Sequence, residues 1–164
     1  MVILVDSFDT NSGMLLPVYC SADWVEFREF FVNQAPNPRQ RDKLFDALQI
    51  WVESVHKILP ISELWVNGGF VTYKSQIPED IDVVAFSKKE NFTDEVNQSL
   101  KPLVTDTTGV KKKPIAYGGK IDAYVVPHTF EERSVWMRWW SSVKDPESKR
   151  IILGAEKGFV TVSL

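Results

Sequence analysis

The stretch "DIDVVAF", residues 80–86, limits the fold more than any other. Its β-branched residues predict a strand entering a core, yet two aspartates stand at its mouth. Residues two apart on a strand point to the same face about 6.5–7 Å apart. Two ionised carboxylates about 6 Å apart repel by about 2.8 kcal/mol at an effective dielectric of ~20, a cost of about two pKa units. The answers open to the chain are full exposure, a shared proton, a basic partner or a bound cation. The apolar run after Asp82 argues against full exposure. A hard ion such as Mg²⁺ (or Mn²⁺) fits better, because it takes carboxylate and phosphate oxygens and keeps much of its water. Two such ions about 3.5–4 Å apart clamp both the attacking and the leaving oxygen of a phosphoryl group.

Upstream, "ELWVNGG" (63–69) reads as a short strand broken at two glycines, followed by a turn or short helix in "FVTYKSQIPE". Glycines after a strand let backbone N–H groups approach an anion, and a helix starting at Phe70 would aim its positive end there. Downstream, "GGKIDAYVVP" (118–127) reads as a strand with Asp122 on one face and Ile121, Ala123 and Val125 on the other. Taken singly, a Gly-Gly turn and an Asp-x-Asp pair are common and have plain structural explanations.

Their order and spacing resemble the nucleotidyltransferase superfamily related to DNA polymerase beta, with its hydrophobic-Gly-Ser turn, Asp-x-Asp pair and later third carboxylate. "GGFVTYKSQIPEDIDVV" is closer still to a family of small bacterial nucleotidyltransferase-like proteins of unassigned function, whose core reads approximately GSFVT-K-x-x-P-x-DIDV. A looser likeness runs from "GMLLP" and "EFREFF" to "KGFVTVSL". The resemblance implies an NTP substrate, Asp80, Asp82 and Asp122 as metal ligands and catalytic acids, and Gly68 and Gly69 as the phosphate turn. It departs at Gly69, where the superfamily has a serine whose hydroxyl helps bind the triphosphate. Lys74 is a candidate to offset that loss as a point charge, or else a solvated loop lysine.

The rest of the chain predicts an α+β domain in which helices pack mainly on one face of a mixed, nucleotidyltransferase-like sheet. At 164 residues the chain fits one domain, hiding roughly 70% of its unfolded surface. Residues 1–60 form a helical part, 61–127 the core with the acidic site, and 128–164 a final helix and strand. Ser21 is the expected cap of a helix with Trp24, Phe27 and Phe31 on one stripe. Asn37 caps, and Pro38 begins, the strongest helix, whose face is Leu44, Leu48, Trp51, Val52, Val55 and Ile58, and which Pro60 ends. Thr93–Leu103 is a weaker helix with Val96, Leu100 and Leu103 inward and Pro102 near its end. Thr129 and Glu132 predict a capping box for a helix from Phe130 to about Val143. "GFVTVSL" alternates as a closing strand.

Several features have plainer readings. Lys111, Lys112, Lys113 and nearby Lys120 are able to guide a polyanion, but a short charge run is usually a solvated loop. Trp136 and Trp140 lie one turn apart and read as core, and Trp139 is a candidate to stack on a base or a partner, although core packing is the plainer reading for it too. His56 reads as surface, and His128, at the end of the Asp122 strand, as a candidate for proton transfer. One cysteine, Cys20, excludes an internal disulfide and a cysteine-rich zinc site and reads as a small buried hydrophobe. A net charge of −3 argues against a surface built to coat DNA. No apolar run approaches the ~20 residues that span a bilayer, and "MVILVDSFDT" lacks the basic start of a secretory signal, so a cytoplasmic location is expected.

The function expected is therefore transfer of NMP from an NTP to a hydroxyl of a protein, an RNA or a small molecule. The alternative is a catalytically degenerate fold serving as a nucleotide- or partner-binding module of the toxin–antitoxin kind. A metal-dependent nuclease would explain the aspartates but not the glycine turn.

Overall fold

The structure is a computed structural model that describes residues 8–17 and 20–164. The expectation drawn from "MVILV" lies outside the described residues. Among them the chain forms strands β1 (Cys20–Ala22), β2 (Glu63–Asn67), β3 (Ile81–Ser87), β4 (Ile121–Pro127), β5 (Ser142–Lys144), β6 (Ile151–Glu156) and β7 (Val160–Val162). The helices are α1 (Trp24–Arg28), α2 (Pro38–Ile58), α3 (Asp94–Leu100) and α4 (Phe130–Ser141). Five strands make one mixed sheet in the order β1-β7-β2-β3-β4, and β5 pairs with β6 in a separate hairpin. The fold is α+β, as expected. No helix among the described residues is long and apolar enough to cross a membrane.

One face of the sheet carries Leu64, Val66, Ile81, Val83, Ala85, Ile121, Ala123, Val160 and Val162 into the main core, against Phe27, Phe31, Phe45, Leu48, Trp51 and Val55 of the N-terminal helices. Alternation along the strands sends Trp65, Val84 and Phe86 to the opposite face, where Trp136 and Trp140 of α4 cover them. Helices therefore occupy both faces, three on one and α4 on the other.

Several local expectations are corrected. Asp23 rather than Ser21 caps α1: its carboxylate accepts from Val25 N (2.8 Å) and Glu26 N (2.9 Å), and Glu26 returns a bond to Asp23 N (3.1 Å). Ser21 is still extended in β1, opposite Thr161. Asn37 precedes Pro38 but stands in the left-handed region (φ 62°), and its amide donates to Ser75 O (3.0 Å) instead of capping the helix. Pro102 confines α3 to Leu100, and a 3₁₀ turn follows over Lys101–Leu103. α4 ends at Ser141, short of Val143, because Ser142 and Lys144 pair with Glu156 and Ile151. The strands at 20–22, 142–144 and 151–156 have no counterpart in the sequence reading. Each is short or follows an irregular register, and its pairing comes from distant residues.

Arg41, on α2, is fully buried. Among the described residues, no carboxylate forms an ion pair with it. Its guanidinium donates to the carbonyls of Phe31 (3.0 Å), Pro36 (2.7 Å), Phe70 (2.5 Å) and Thr72 (2.8 Å). Burial lowers its pKa to about 10, with Tyr73 opposing the shift. One side chain thus ties the π turn Glu29–Asn33, the entry to α2 and the loop after β2. Arg41→Met leaves buried carbonyls unpaired, each worth about 1–3 kcal/mol, so urea unfolding should show a loss of about 3 kcal/mol or more with little change in slope. Arg41→Lys should recover only part of it, because one ammonium cannot reach four carbonyls.

Candidate functional site

β3 and β4 run parallel, and their register sets Asp82 opposite Asp122. Neighbouring strands lie roughly 4.8 Å apart, so the two carboxylates leave adjacent backbone positions on one face. Asp122 is 1% exposed. Its Oδ1 accepts from Thr105 Oγ1 (2.7 Å), and its Oδ2 is paired with the Lys112 ammonium. Thr105 is itself fixed on β4, donating N–H to Ala123 O (2.8 Å) and accepting from Ala123 N through Oγ1 (2.9 Å). Lys112 is delivered by a chain reversal that closes where Asp106 and Lys113 exchange backbone hydrogen bonds. Asp80 stands just before β3, half-buried.

The repulsion inferred from the sequence is present. Asp82 is pushed up to about 7, first by burial and then by the charges of Asp80 and Asp122, with Lys112 opposing. Asp80 is raised for the same reasons, burial leading and Asp122 next. Lys112 is also raised: burial alone would lower it, but its hydrogen bond and charge contact with Asp122 prevail. Among the four possible answers, the free chain combines a retained proton with a basic partner.

Gly68 lies against this cluster. Its backbone (φ 78°, ψ −164°) is in a region open essentially to glycine alone, and a Cβ there would lie 1.9 Å from Asp82 Oδ2. Gly69 differs: a Cβ there would meet only Pro78 Cβ, at 3.9 Å. The helix expected from Phe70 does not form. Gly69–Val71 is a single 3₁₀ turn, ended by extended Thr72, and is too short to build a helix dipole.

Asp82, Gly68 and Lys74 line a cavity of about 420 Å³, together with Asn67, Lys112, Lys144 and Lys157. Lys157 Nζ donates to Asn67 Oδ1 (3.2 Å), and Asn67 Nδ2 donates to Trp140 O (3.2 Å). The Lys157 pKa is lowered by burial above all; Lys74 and Lys144 press it further down and Asp82 resists. The cavity therefore has an acidic wall and a basic one.

The structure brings Asp80, Asp82, Asp122, Gly68 and Lys74 to one end of the sheet, while Gly69 lies just outside the cavity lining. His128 is not there. It lies at the other end of β4, against Ser62 Oγ (2.8 Å), Glu63 (3.2 Å) and Arg133 (3.0 Å), which removes it from proton transfer at the aspartates. His56 is exposed, as expected, and Cys20 is buried. The sequence reading treated Lys112 as a solvated loop residue and overlooked Thr105, Asn67, Lys144 and Lys157. A lysine triplet ahead of the Asp122 strand was visible, but only the closed turn selects its middle member; the others carry no local signal.

Among the described residues, no three acidic, cysteine or histidine side chains are gathered so as to hold a metal ion as they stand. The donor set is nonetheless of the right chemistry, with hard carboxylate oxygens, and a cation already sits on Asp122 Oδ2 in the form of the Lys112 ammonium. Asp80, Asp82 and Asp122 are the residues that would hold Mg²⁺ or Mn²⁺ once that ammonium withdrew.

A family model described as "Family of unknown function (DUF6932)" matches residues 6–163. No curated protein and no solved structure matches the chain.

Folded Asp82 keeps its proton up to about pH 7, whereas an unfolded aspartate loses it near 3.8. Its contribution to stability therefore falls as pH rises between those values. Asp82→Asn, which cannot ionise, should raise Tm more at pH 8 than at pH 5, by about 2–4 °C for each kcal/mol of relieved repulsion. Equal shifts at both pH values would show that Asp82 is not a strained carboxylate.

Proposed function

The chain belongs to DUF6932, a family of unknown function, and we propose that it is a metal-dependent nucleotidyltransferase. It would bind an NTP and transfer the NMP unit to a hydroxyl on a protein, an RNA or a small molecule. The observation that carries this reading is the two-sided cavity. Asp82, next to Asp80 and Asp122, lines one space of about 420 Å³ together with Gly68 and the lysines Lys74, Lys112, Lys144 and Lys157. A lone anion would satisfy only the lysines, and a lone cation only the aspartates. A metal–triphosphate pair satisfies both.

When bound, the divalent cation supplies charge neutralisation on the reacting phosphoryl group. The chain's own residues do the rest. Lys74, Lys144 and Lys157 hold the phosphates as point charges, and Gly68, without a side chain, leaves room for the Asp82 carboxylate beside them. Lys112, whose side chain is 48% exposed, leaves Asp122 Oδ2 for the phosphates. Asp122, kept in place by Thr105, then takes the acceptor proton. The acceptor O–P bond forms as the P–O bond to pyrophosphate breaks.

The Lys112–Asp122 pair, with glycine at position 69, also supports a second reading, in which a catalytically degenerate fold binds a nucleotide or a partner without turnover. Labelled NTP, Mg²⁺ and cell extract separate the two. In the enzymatic reading label passes to an acceptor. Asp80→Asn and Asp82→Asn then lose metal and transfer together, and Asp122→Asn keeps nucleotide affinity while turnover drops about 10²–10⁴-fold. Calorimetric binding of NTP with no labelled product favours the degenerate module. No product, with every aspartate variant binding like wild type, removes both.

Position 69 provides a separate check. Its φ is ordinary and its Cβ space is open, so serine fits without strain. Gly69→Ser should strengthen NTP binding about tenfold by adding one hydrogen bond to a charged phosphate. An unchanged affinity would mean that the turn does not face the triphosphate.

A further inference from the structure

Part of the cavity lining is aromatic. Tyr124 of β4 and Trp139 and Trp140 of α4 supply it, with Val143, Pro146 and Ile152 from the β5–β6 hairpin. Trp140 is buried, whereas Trp139 remains 41% exposed. Neighbouring rings nevertheless hold Trp139 in place. Trp136 lies 5.1 Å away between centroids, and Tyr124 meets it edge-on at 6.4 Å. The Lys144 ammonium lies over the Trp139 ring, 5.8 Å from its centroid. That lysine also belongs to the basic wall of the cavity.

Resting on the nucleotidyltransferase reading, we propose that Trp139 is the platform on which the base of the bound nucleotide stacks. A flat ring, fixed from the side and open to the cavity, suits a nucleobase, because every base offers a π face. Lys144 does not block it. An exposed cation–π contact is worth less than a base–aromatic stack, so the base displaces the ammonium, which stays close enough to serve the phosphates. The surroundings of Trp139 also limit what the site distinguishes. Val143, Pro146 and Ile152 have no side-chain polar atoms, and Tyr124 and Ser142 offer single hydroxyls rather than the paired donors and acceptors that read the edge of one particular base. The site therefore accepts several NTPs, purines ahead of pyrimidines because their larger face stacks over more of the indole.

The test compares inorganic triphosphate, ATP and CTP by calorimetry with Mg²⁺ present, for wild type, Trp139→Ala and Trp139→Phe. Wild type should bind ATP about tenfold more tightly than inorganic triphosphate, with CTP between them. Trp139→Ala should bring ATP down to the level of triphosphate while triphosphate affinity stays unchanged, and Trp139→Phe should restore most of the difference. Thermal melts confirm that the variants fold. If wild type binds triphosphate and ATP equally, or Trp139→Ala leaves their ratio untouched, the base stacks elsewhere and this inference falls alone. If neither ligand binds wild type, the nucleotidyltransferase reading falls and takes the stacking platform with it.

Discussion

A single buried guanidinium holds the parts of this domain that no ladder of hydrogen bonds connects. Arg41 donates to the carbonyls of Phe31, Pro36, Phe70 and Thr72, which belong to three different segments. Backbone carbonyls at irregular turns lack intrahelical or cross-strand partners, and burying them unpaired is costly. One planar fork of donors satisfies four of them, where a carboxylate partner would have competed for the same N–H groups. The consequence reaches the cavity, since Phe70 lies within, and Thr72 ends, the 3₁₀ turn that follows Gly68. The conformation of that glycine next to Asp82 is set partly from α2, on the far side of the main core.

Elements with strong periodicity were legible in the sequence, and so were acids placed at the mouths of strands. α2 was readable from six apolar positions, β2 from a short apolar run broken at two glycines, and β3 and β4 from their β-branched residues and alternation. The convergence of Asp82 and Asp122 was implied by the family resemblance, since alternation along each strand gave only the face of each residue. What escaped depends on contacts between distant parts of the chain. Arg41 looks like any charged residue in the first turns of an amphipathic helix, and only the position of Phe70 makes it a buried hub. β1 has three residues and exists because β7 lies beside it. The β5–β6 hairpin contains Gly154, a bulge in register and exposed isoleucines, so its alternation is blurred. His128 was misplaced for a simpler reason: the direction of β4 puts its last residue at the opposite end of the sheet from Asp122.

Electrostatics at the cavity follow from its two walls being unsatisfied in opposite senses. Asp82 retains a proton because burial and two neighbouring carboxylates disfavour its charge. Lys157 loses basicity because burial and two neighbouring ammonium groups disfavour its own. Each shift lowers the local charge, as expected of buried groups lacking a full complement of counter-ions. Of the lysines lining the cavity, Lys112 pairs directly with Asp122, but among the described residues the others do not pair with an aspartate. Instead Lys157 bonds to an amide oxygen, and Lys144 lies over an indole ring.

The Lys112–Asp122 pair is the feature that most directly opposes a catalytic reading, and its asymmetry bears on how strongly. Asp122 is almost completely buried and stays fixed through Thr105 whether or not the lysine is present. The Lys112 side chain is 48% exposed and reaches the carboxylate from a surface turn. A salt bridge kept for structure gains most when both partners are desolvated and held, and it loses much of its value when one remains in water. Here only the carboxylate is held. Releasing the ammonium returns it to solvent but leaves the buried carboxylate uncompensated, at a cost of about 3–5 kcal/mol that an arriving cation would have to offset. That arrangement is compatible with the proposed site, in which the internal cation would give way to one arriving with a triphosphate.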